Sequence, residues 1–201
     1  PPQTQPAEKK SVAPTALPRV ALEIAQGDQQ WGTIVLELDE AKAPLTVGNF
    51  LRYVDEGYYD GTLIHRVVAG AGARIQVLQG GGYTFLNATT KPGQHEPIRN
   101  EADNGLKNVR GTIAMARDAD PHSATSEFFI NIDDNPKLDY TGADHWGYCV
   151  FGHIVEGMEI VDKIKEVETK TNPDPELKGE KSQPVKPPIV RAAHRAESKS
   201  K

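Results

Sequence analysis

Few residues in this sequence stand at the spacings that common catalytic or metal sites require. No two histidines share a predicted element at metal-ligand spacing, so we interpret all six, at positions 65, 95, 122, 145, 153 and 194, as surface or packing residues. The acidic pairs at 118/120 and 133/134 fall in turn-rich segments, where aspartate commonly bonds its own backbone. The sequence has neither a Gly-x-Ser-x-Gly elbow nor a phosphate-binding loop ending in Lys-Ser/Thr. It therefore predicts no metal site and no cofactor.

Arg66 is the residue that stands out, because it lies inside a β-rich run, Leu63–Val68. The period of two along a strand places Ile64, Arg66 and Val68 on one face. A strand arginine usually packs its aliphatic stem and exposes its charged head, so a structural interpretation is open beside a functional one. The residue types alone do not decide between them.

The elements that must position Arg66 begin near residue 20. Val20, Leu22 and Ile24 alternate with smaller or polar residues, which indicates a strand, and residues 33–38 form a second β-rich run after the turn at Gly27. We predict that these two strands form a hairpin. Further strands are predicted at Leu63–Val68, Thr112–Arg117, Glu127–Ile132 and Cys149–Ile154.

Two segments have the pattern of helices. Between Pro44 and Gly57, and again between Gly157 and Val167, apolar residues recur at three- and four-residue spacing. Because strands outnumber helices and most links are too short for repeated parallel crossovers, we expect an antiparallel barrel with the two helices covering its ends. The proline-rich segment 169–188 is predicted to be a loop, followed by a short strand at Ile189-Val190.

Composition limits the function further. The chain has 201 residues, a net charge of −5 and one cysteine, Cys149, which lies in an apolar run and is interpreted as a buried structural thiol. Basic residues gather at both ends, so the body is more acidic than the whole, which argues against nucleic-acid binding. No apolar stretch is long enough to span a membrane.

The domain organisation follows from these patterns. We predict a disordered proline-rich linker at residues 1–18, one folded domain at 19–193 and a basic tail at 194–201. We expect a monomer. Because the chain begins at Pro1 rather than at methionine, we expect that an upstream segment was removed, and a periplasmic or otherwise exported location is slightly favoured over a cytoplasmic one.

Several motifs resemble the cyclophilin family, and they occur in the family's order. Residues 63–67 and 79–82, Leu-Ile-His-Arg-Val and Gln-Gly-Gly-Gly, resemble the family's Phe-His-Arg-Val and Gln-Gly-Gly. Residues 111–116 and 123–131 resemble the next two family strands, the second containing Ser-Glu-Phe-Phe-Ile where the family has Ser-Gln-Phe-Phe-Ile. Residues 138–139 and 147–152 resemble its Leu-Asp and Val-Phe-Gly block. The resemblance covers about residues 20–193 and is bacterial in type.

The resemblance implies a mainly β fold, a closed eight-stranded antiparallel barrel capped by two helices. It also implies peptidyl-prolyl cis/trans isomerase activity on X–Pro bonds of extended or unfolded polypeptide, which assists protein folding. By this resemblance Arg66 is the catalytic arginine. The same carry-over gives the substrate-binding residues: Gln79, Met115, Ala116, Arg117, Glu127, Phe129, Leu138 and Tyr148.

Three departures from the family pattern affect these expectations. The segment between Arg66 and Gln79 is longer than in the family, and its glycine-rich part, residues 69–75, is expected to be an exposed, mobile loop. Counting back from Gln79, Gln76 and Val77 stand where the family has a pocket Phe and Met. Glu127 replaces a glutamine, and an aromatic residue before Leu138 is replaced by lysine, which predicts weak cyclosporin binding. A peptide-binding or chaperone module with little isomerase activity is the alternative function.

Overall fold

The alternating apolar residues of the sequence form a closed barrel in the computed structural model, which describes residues 16–84 and 90–197. Eight strands close the barrel in the order β1-β10-β3-β4-β6-β5-β7-β2, and each neighbouring pair is antiparallel. The elements are β1 Arg19–Gln26, β2 Gln29–Leu38, α1 Pro44–Asp55, β3 Thr62–Val68, β4 Val77–Gly80, β5 Thr112–Met115, β6 Phe128–Asn131, β7 Val150–Glu156, α2 Met158–Lys165, β8 Thr169–Thr171, β9 Lys181–Pro184 and β10 Ile189–Ala196. The predicted fold class and the β1–β2 hairpin are therefore confirmed.

The barrel interior is packed with apolar side chains. Phe50 of α1 closes one end, with its ring 5.1 Å from that of Tyr59, 5.8 Å from that of Phe128 and 5.1 Å from that of Phe151. Helix α2 buries Ile160, Val161 and Ile164 on its apolar face. Cys149 is buried as predicted, and burial raises the pKa of its thiol to about 11. Because the interior is filled, we expect a peptide to bind on the outside of the barrel.

A second apolar cluster lies on the outer face of the barrel. It contains Phe129, Leu138 and Val77, with Ile75 and Tyr148 packed against it. The period of two along β6 explains the separation of the two clusters, since Phe128 faces the interior while Phe129 faces outward.

The prediction of a loop at 169–188 was wrong in part. Strands β8 and β9 pair antiparallel in a separate two-stranded sheet, and β9 packs against β3. Pro173 and Pro175 lie in the connection between the two strands, and Pro184 ends β9, so no proline interrupts the pairing. These strands are short and polar, and they carry little of the apolar alternation that marks the barrel strands.

The ends of the chain bear on the predicted boundaries. Strand β10 continues to Ala196, because residues 193–196 pair with 19–22 of β1, so regular structure extends beyond the predicted start of the tail at 194. Most of the predicted linker at 1–18 lies outside the described residues, although the carbonyl of Pro18 accepts a hydrogen bond from Leu38 N at 2.9 Å. Among the helices of the described residues, none has the length and hydropathy needed to cross a lipid bilayer.

Candidate active site

Arg66 lies on β3 directly opposite Gln79 of β4. The pairing of β3 with β4 has an irregularity between Ile64 and Arg66, so His65 is an extra residue at that point. A bulge of this kind re-aims the neighbouring side chains. The guanidinium Nη1 of Arg66 donates to Oε1 of Gln79 at 3.1 Å.

A carboxylate from outside the barrel also holds Arg66. Glu180, which lies just before β9, accepts hydrogen bonds from Nε of Arg66 at 2.8 Å and from Nη2 at 3.0 Å. The side chains of Arg66 and Glu180 are 15% and 28% exposed, so the pair is largely removed from water. Paired hydrogen bonds between arginine and a carboxylate fix both distance and orientation.

Glu127 extends the same network on its other side. Nε2 of Gln79 donates to Oε2 of Glu127 at 2.8 Å, and Nε2 of His65 lies 3.5 Å from the same oxygen. Burial raises the pKa of Glu127 to about 7, against the opposing effect of the Gln79 hydrogen bond. Burial, reinforced by the charge of Arg66, lowers the pKa of His65 to about 4. His65 is therefore neutral near neutral pH, and its contact with Glu127 is not an ion pair there.

The glycines after Gln79 leave room for this network. Gly81 has φ +87°, which favours glycine, and a Cβ there would lie 2.9 Å from the ring of Phe128. A Cβ on Gly82 would collide with the side chain of Glu127. The run of glycines therefore allows the chain to pass close to Glu127 directly after β4, and it does not form a nucleotide-binding turn.

A cavity with one apolar wall opens beside the network. It has a volume of about 620 Å³ and is lined by Arg66 and Gln79 together with Phe129, Leu138 and Tyr148. The rings of Phe129 and Tyr148 meet edge to face with centroids 5.5 Å apart. The apolar wall suits a small apolar ring, and the guanidinium of Arg66 lies in the same cavity.

Arg117 supports the far wall of this cavity. Its guanidinium lies over the ring of Tyr148, 4.6 Å from the centroid, while its Nε donates to the carbonyl of Gly147 at 3.0 Å. This stacking holds Tyr148 in place.

Asn135 fixes the start of β4, where the chain departs most from the family pattern. Its Oδ1 accepts from Gln76 N at 2.8 Å and its Nδ2 donates to Gln76 O at 2.9 Å. This clamp sets which residues of the segment face the cavity. Ile75 and Val77 line the cavity, whereas Nε2 of Gln76 donates to Asp133 at 2.9 Å.

The structure brings most of the sequence-predicted site residues together. One cavity is lined by Arg66, Gln79, Ala116, Arg117, Glu127, Phe129, Leu138 and Tyr148. Met115 is the exception: its side chain is 2% exposed and packs in the barrel interior, because alternation along β5 turns Ala114 and Ala116 outward. Gln76, which counting back from Gln79 aligns with the family's pocket Phe, is not among the residues that line this cavity, whereas Ile75 and Val77 are.

Other residues of the site were missed from the sequence. His65 and Tyr83 line the cavity near Glu127, with their rings 4.6 Å apart. The hairpin formed by β8 and β9 contributes Asn172, Pro173, Asp174, Glu176, Leu177 and Gln183 to the lining. His65 could have been found from its place beside Arg66, whereas no local signal marks the hairpin residues. Among residues 16–84 and 90–197, no group of three His, Cys, Asp or Glu is arranged to hold a metal ion.

Comparisons with known proteins agree with this geometry. Residues 21–193 match the family model described as cyclophilin type peptidyl-prolyl cis-trans isomerase/CLD. The chain is 47% identical over 164 residues to peptidyl-prolyl cis-trans isomerase cyp18 of Streptomyces antibioticus, covering 81% of this chain and 92% of that protein. It is 51% identical over 140 residues to peptidyl-prolyl cis-trans isomerase B of Escherichia coli strain K12, covering 69% and 81%. It is also 50% identical over 139 residues to peptidyl-prolyl cis-trans isomerase A of Dickeya dadantii, covering 69% of each.

The family match covers most of the chain and includes nearly all of the barrel, both helices and every residue that places a charge or a ring in the cavity. The chain therefore belongs to the cyclophilin-type peptidyl-prolyl cis-trans isomerase family.

Proposed function

We propose that Arg66 is the catalytic residue of this peptidyl-prolyl cis/trans isomerase and that the apolar wall of the adjoining cavity holds the proline ring. The observation that carries the proposal is the position of one largely buried guanidinium at the edge of a cavity walled by Phe129, Leu138 and Tyr148.

The proposed mechanism follows from the electronic structure of the amide bond. Resonance gives rotation about an X–Pro bond a barrier of about 18–20 kcal/mol. In the twisted transition state the proline nitrogen regains a lone pair, which the planar ground state does not offer. An N–H of Arg66 that donates to this nitrogen would bind the twisted form better than either planar form, and this difference is what lowers the barrier.

The apolar wall has a separate task. Phe129, Leu138 and Tyr148, with Ile75 and Val77, would hold the proline ring while the carbonyl side of the bond turns. These contacts form in the ground state and in the transition state alike, so they contribute to binding more than to the rate of the chemical step.

The substrates proposed for this site are proline-containing segments of extended or unfolded polypeptide. Ala116, Arg117 and Glu127 line the cavity beyond the proline position and would contact residues that flank the proline. We further propose that the protein acts as a monomer. We also propose that it binds cyclosporin weakly, since Lys137, which stands before Leu138, is exposed and offers no aromatic surface.

The test is the relaxation of a short X–Pro peptide from cis to trans, which takes tens to hundreds of seconds without a catalyst. We expect the wild-type protein to accelerate it, and Arg66→Ala to lower kcat/KM by about 10²–10³, as for the loss of one preorganised donor. Arg66→Lys should be nearly as harmful, because a point charge does not replace the planar guanidinium.

A matched control is Arg191→Ala, which removes an exposed arginine on β10, and which should retain wild-type activity. An Arg66→Ala protein that keeps wild-type kcat/KM would contradict the role proposed for Arg66. A wild-type protein that binds the peptide without accelerating relaxation would support the alternative of a binding module.

A further inference from the structure

The hairpin made by β8 and β9 lies outside the barrel and holds Glu180 in a fixed place. A short 3₁₀ helix, Pro175–Leu177, and a turn through Lys178 and Gly179 lie between the two strands and lead directly to Glu180. The amide of Glu180 donates to Leu177 O at 2.9 Å, and its carbonyl accepts from Asn172 N at 2.8 Å. The backbone of Glu180 is therefore anchored on both sides before its side chain reaches Arg66.

The contact between Glu180 and Arg66 connects two parts of the chain that are 114 residues apart. Burial alone would raise the pKa of Glu180, but hydrogen bonds from Arg66 and Ser182 outweigh it, and the pKa lies below its ordinary value. Glu180 is thus ionised at neutral pH and carries a full charge beside the guanidinium.

The hydrogen bonds of Arg66 leave part of its guanidinium unused. An arginine carries five N–H donors. Glu180 accepts from Nε and from Nη2, and Gln79 accepts from Nη1, so one hydrogen on Nη1 and one on Nη2 remain. The carboxylate therefore occupies the Nε edge and leaves donors at the end of the side chain.

We infer that Glu180 is a positioning residue for Arg66: it holds the Nε edge of the guanidinium so that the remaining Nη hydrogens are presented to the X–Pro bond in one orientation. This inference rests on the catalytic role proposed for Arg66. It assigns to the β8–β9 hairpin a part in the reaction, in addition to forming one side of the cavity.

Removal of Glu180 would leave the guanidinium held by Gln79 through a single nitrogen. The planar group could then turn about its side-chain torsions, and small displacements of a catalytic group reduce rates strongly. We expect Glu180→Ala to lower kcat about tenfold and to change KM less than twofold, since the proline wall is untouched.

The experiment compares Glu180→Ala, Glu180→Gln and wild type in the peptide relaxation assay, with Tm measured for each protein. Glutamine keeps one oxygen that can accept from Nε or Nη2, so its kcat should lie between the other two. The matched control is Glu168→Ala, which removes an exposed carboxylate just before β8 and changes the net charge equally; its kcat should equal that of wild type.

The outcomes separate this inference from the proposed function. If Arg66→Ala loses activity but Glu180→Ala matches wild type, Glu180 does not position Arg66, while the role of Arg66 stands. Activity of Glu180→Ala above that of wild type would likewise overturn the inference, and would indicate that Glu180 competes with the peptide. If Arg66→Ala keeps full activity, the proposed function fails first. Should Glu180→Ala prove unstable, Glu180→Gln decides: a lower kcat with unchanged KM and Tm supports positioning, and an unchanged kcat overturns it.

Discussion

Phe128 and Phe129 are neighbours on β6, yet they lie on opposite sides of the barrel wall, Phe128 in the interior core and Phe129 in the outer cavity. Phe128 is 0% exposed and belongs to the interior cluster with Phe50 and Tyr59, whereas Phe129 is 4% exposed, belongs to the outer cluster and lines the outer cavity. The interior side of the wall is almost entirely apolar, while the outer side combines apolar residues with linked titratable groups. The same strands therefore supply stability on one side and chemistry on the other.

The largest effect expected from this difference is on stability. We expect Phe128→Ala to lower the free energy of unfolding by about 3–5 kcal/mol, because it opens a cavity among tightly packed rings. Phe129→Ala should cost less than half of that, since it enlarges a cavity that already opens to solvent, and it should raise KM for the peptide. Urea unfolding and the peptide relaxation assay, run on both variants, measure the two effects. Equal losses of stability would show that the outer cluster is as much a structural core as the interior.

A second expected effect concerns Glu127, the titratable group nearest the middle of the outer network. Its pKa is raised to about 7, so between about pH 4.5 and pH 7 the folded protein keeps a proton that the unfolded chain has released. The titration of Glu127 therefore lowers the free energy of unfolding as pH rises through this window. Above about pH 7 its effect on the free energy of unfolding no longer changes with pH.

Glu127→Gln removes this titration. Relative to wild type, we expect the variant to gain about 2–3 kcal/mol in free energy of unfolding between pH 5 and pH 8, since pH 5 lies about two units below the raised pKa and each unit corresponds to about 1.4 kcal/mol. The lowered pKa of His65 acts in the opposite direction below pH 6.5, but it is present in both proteins and cancels in the difference to first approximation. Glu168→Gln, at an exposed carboxylate, should show no such gain. A difference between Glu127→Gln and wild type that does not change with pH would argue against the raised pKa.

The sequence predicted the barrel side of this comparison better than the outer side. Alternation in β1 and β2 is strong because one face is buried in the interior, so the hairpin could be derived directly. The same rule applied to β5 places Met115 inside with Ile113, as observed, whereas the resemblance to the family implies a substrate-binding role for Met115. Strands β8 and β9 could not be predicted from alternation, because they are polar and flanked by prolines. The contact of Glu180 with Arg66 joins distant segments through one pair of side chains, and no local pattern encodes it.

The two faces of the chain differ just before and within β4, at the end of the segment that is longer than in the family. Ile75 and Val77 line the cavity, while Gln76 points to Asp133 and Leu78 packs in the interior cluster. Ile75 thus takes the place in the wall that counting from Gln79 had given to Gln76.

We expect Ile75→Ala to raise KM about three- to tenfold with little change in kcat, because it removes apolar surface that contacts proline in both the ground state and the transition state. Gln76→Ala is the matched neighbour, and it should leave both constants unchanged, since its side chain bonds an exposed carboxylate and its backbone remains held by Asn135. Steady-state constants for the two variants and the wild type give the answer. If Gln76→Ala raised KM and Ile75→Ala did not, the segment would take the opposite register when peptide binds, and the wall would be the one that counting from Gln79 implies.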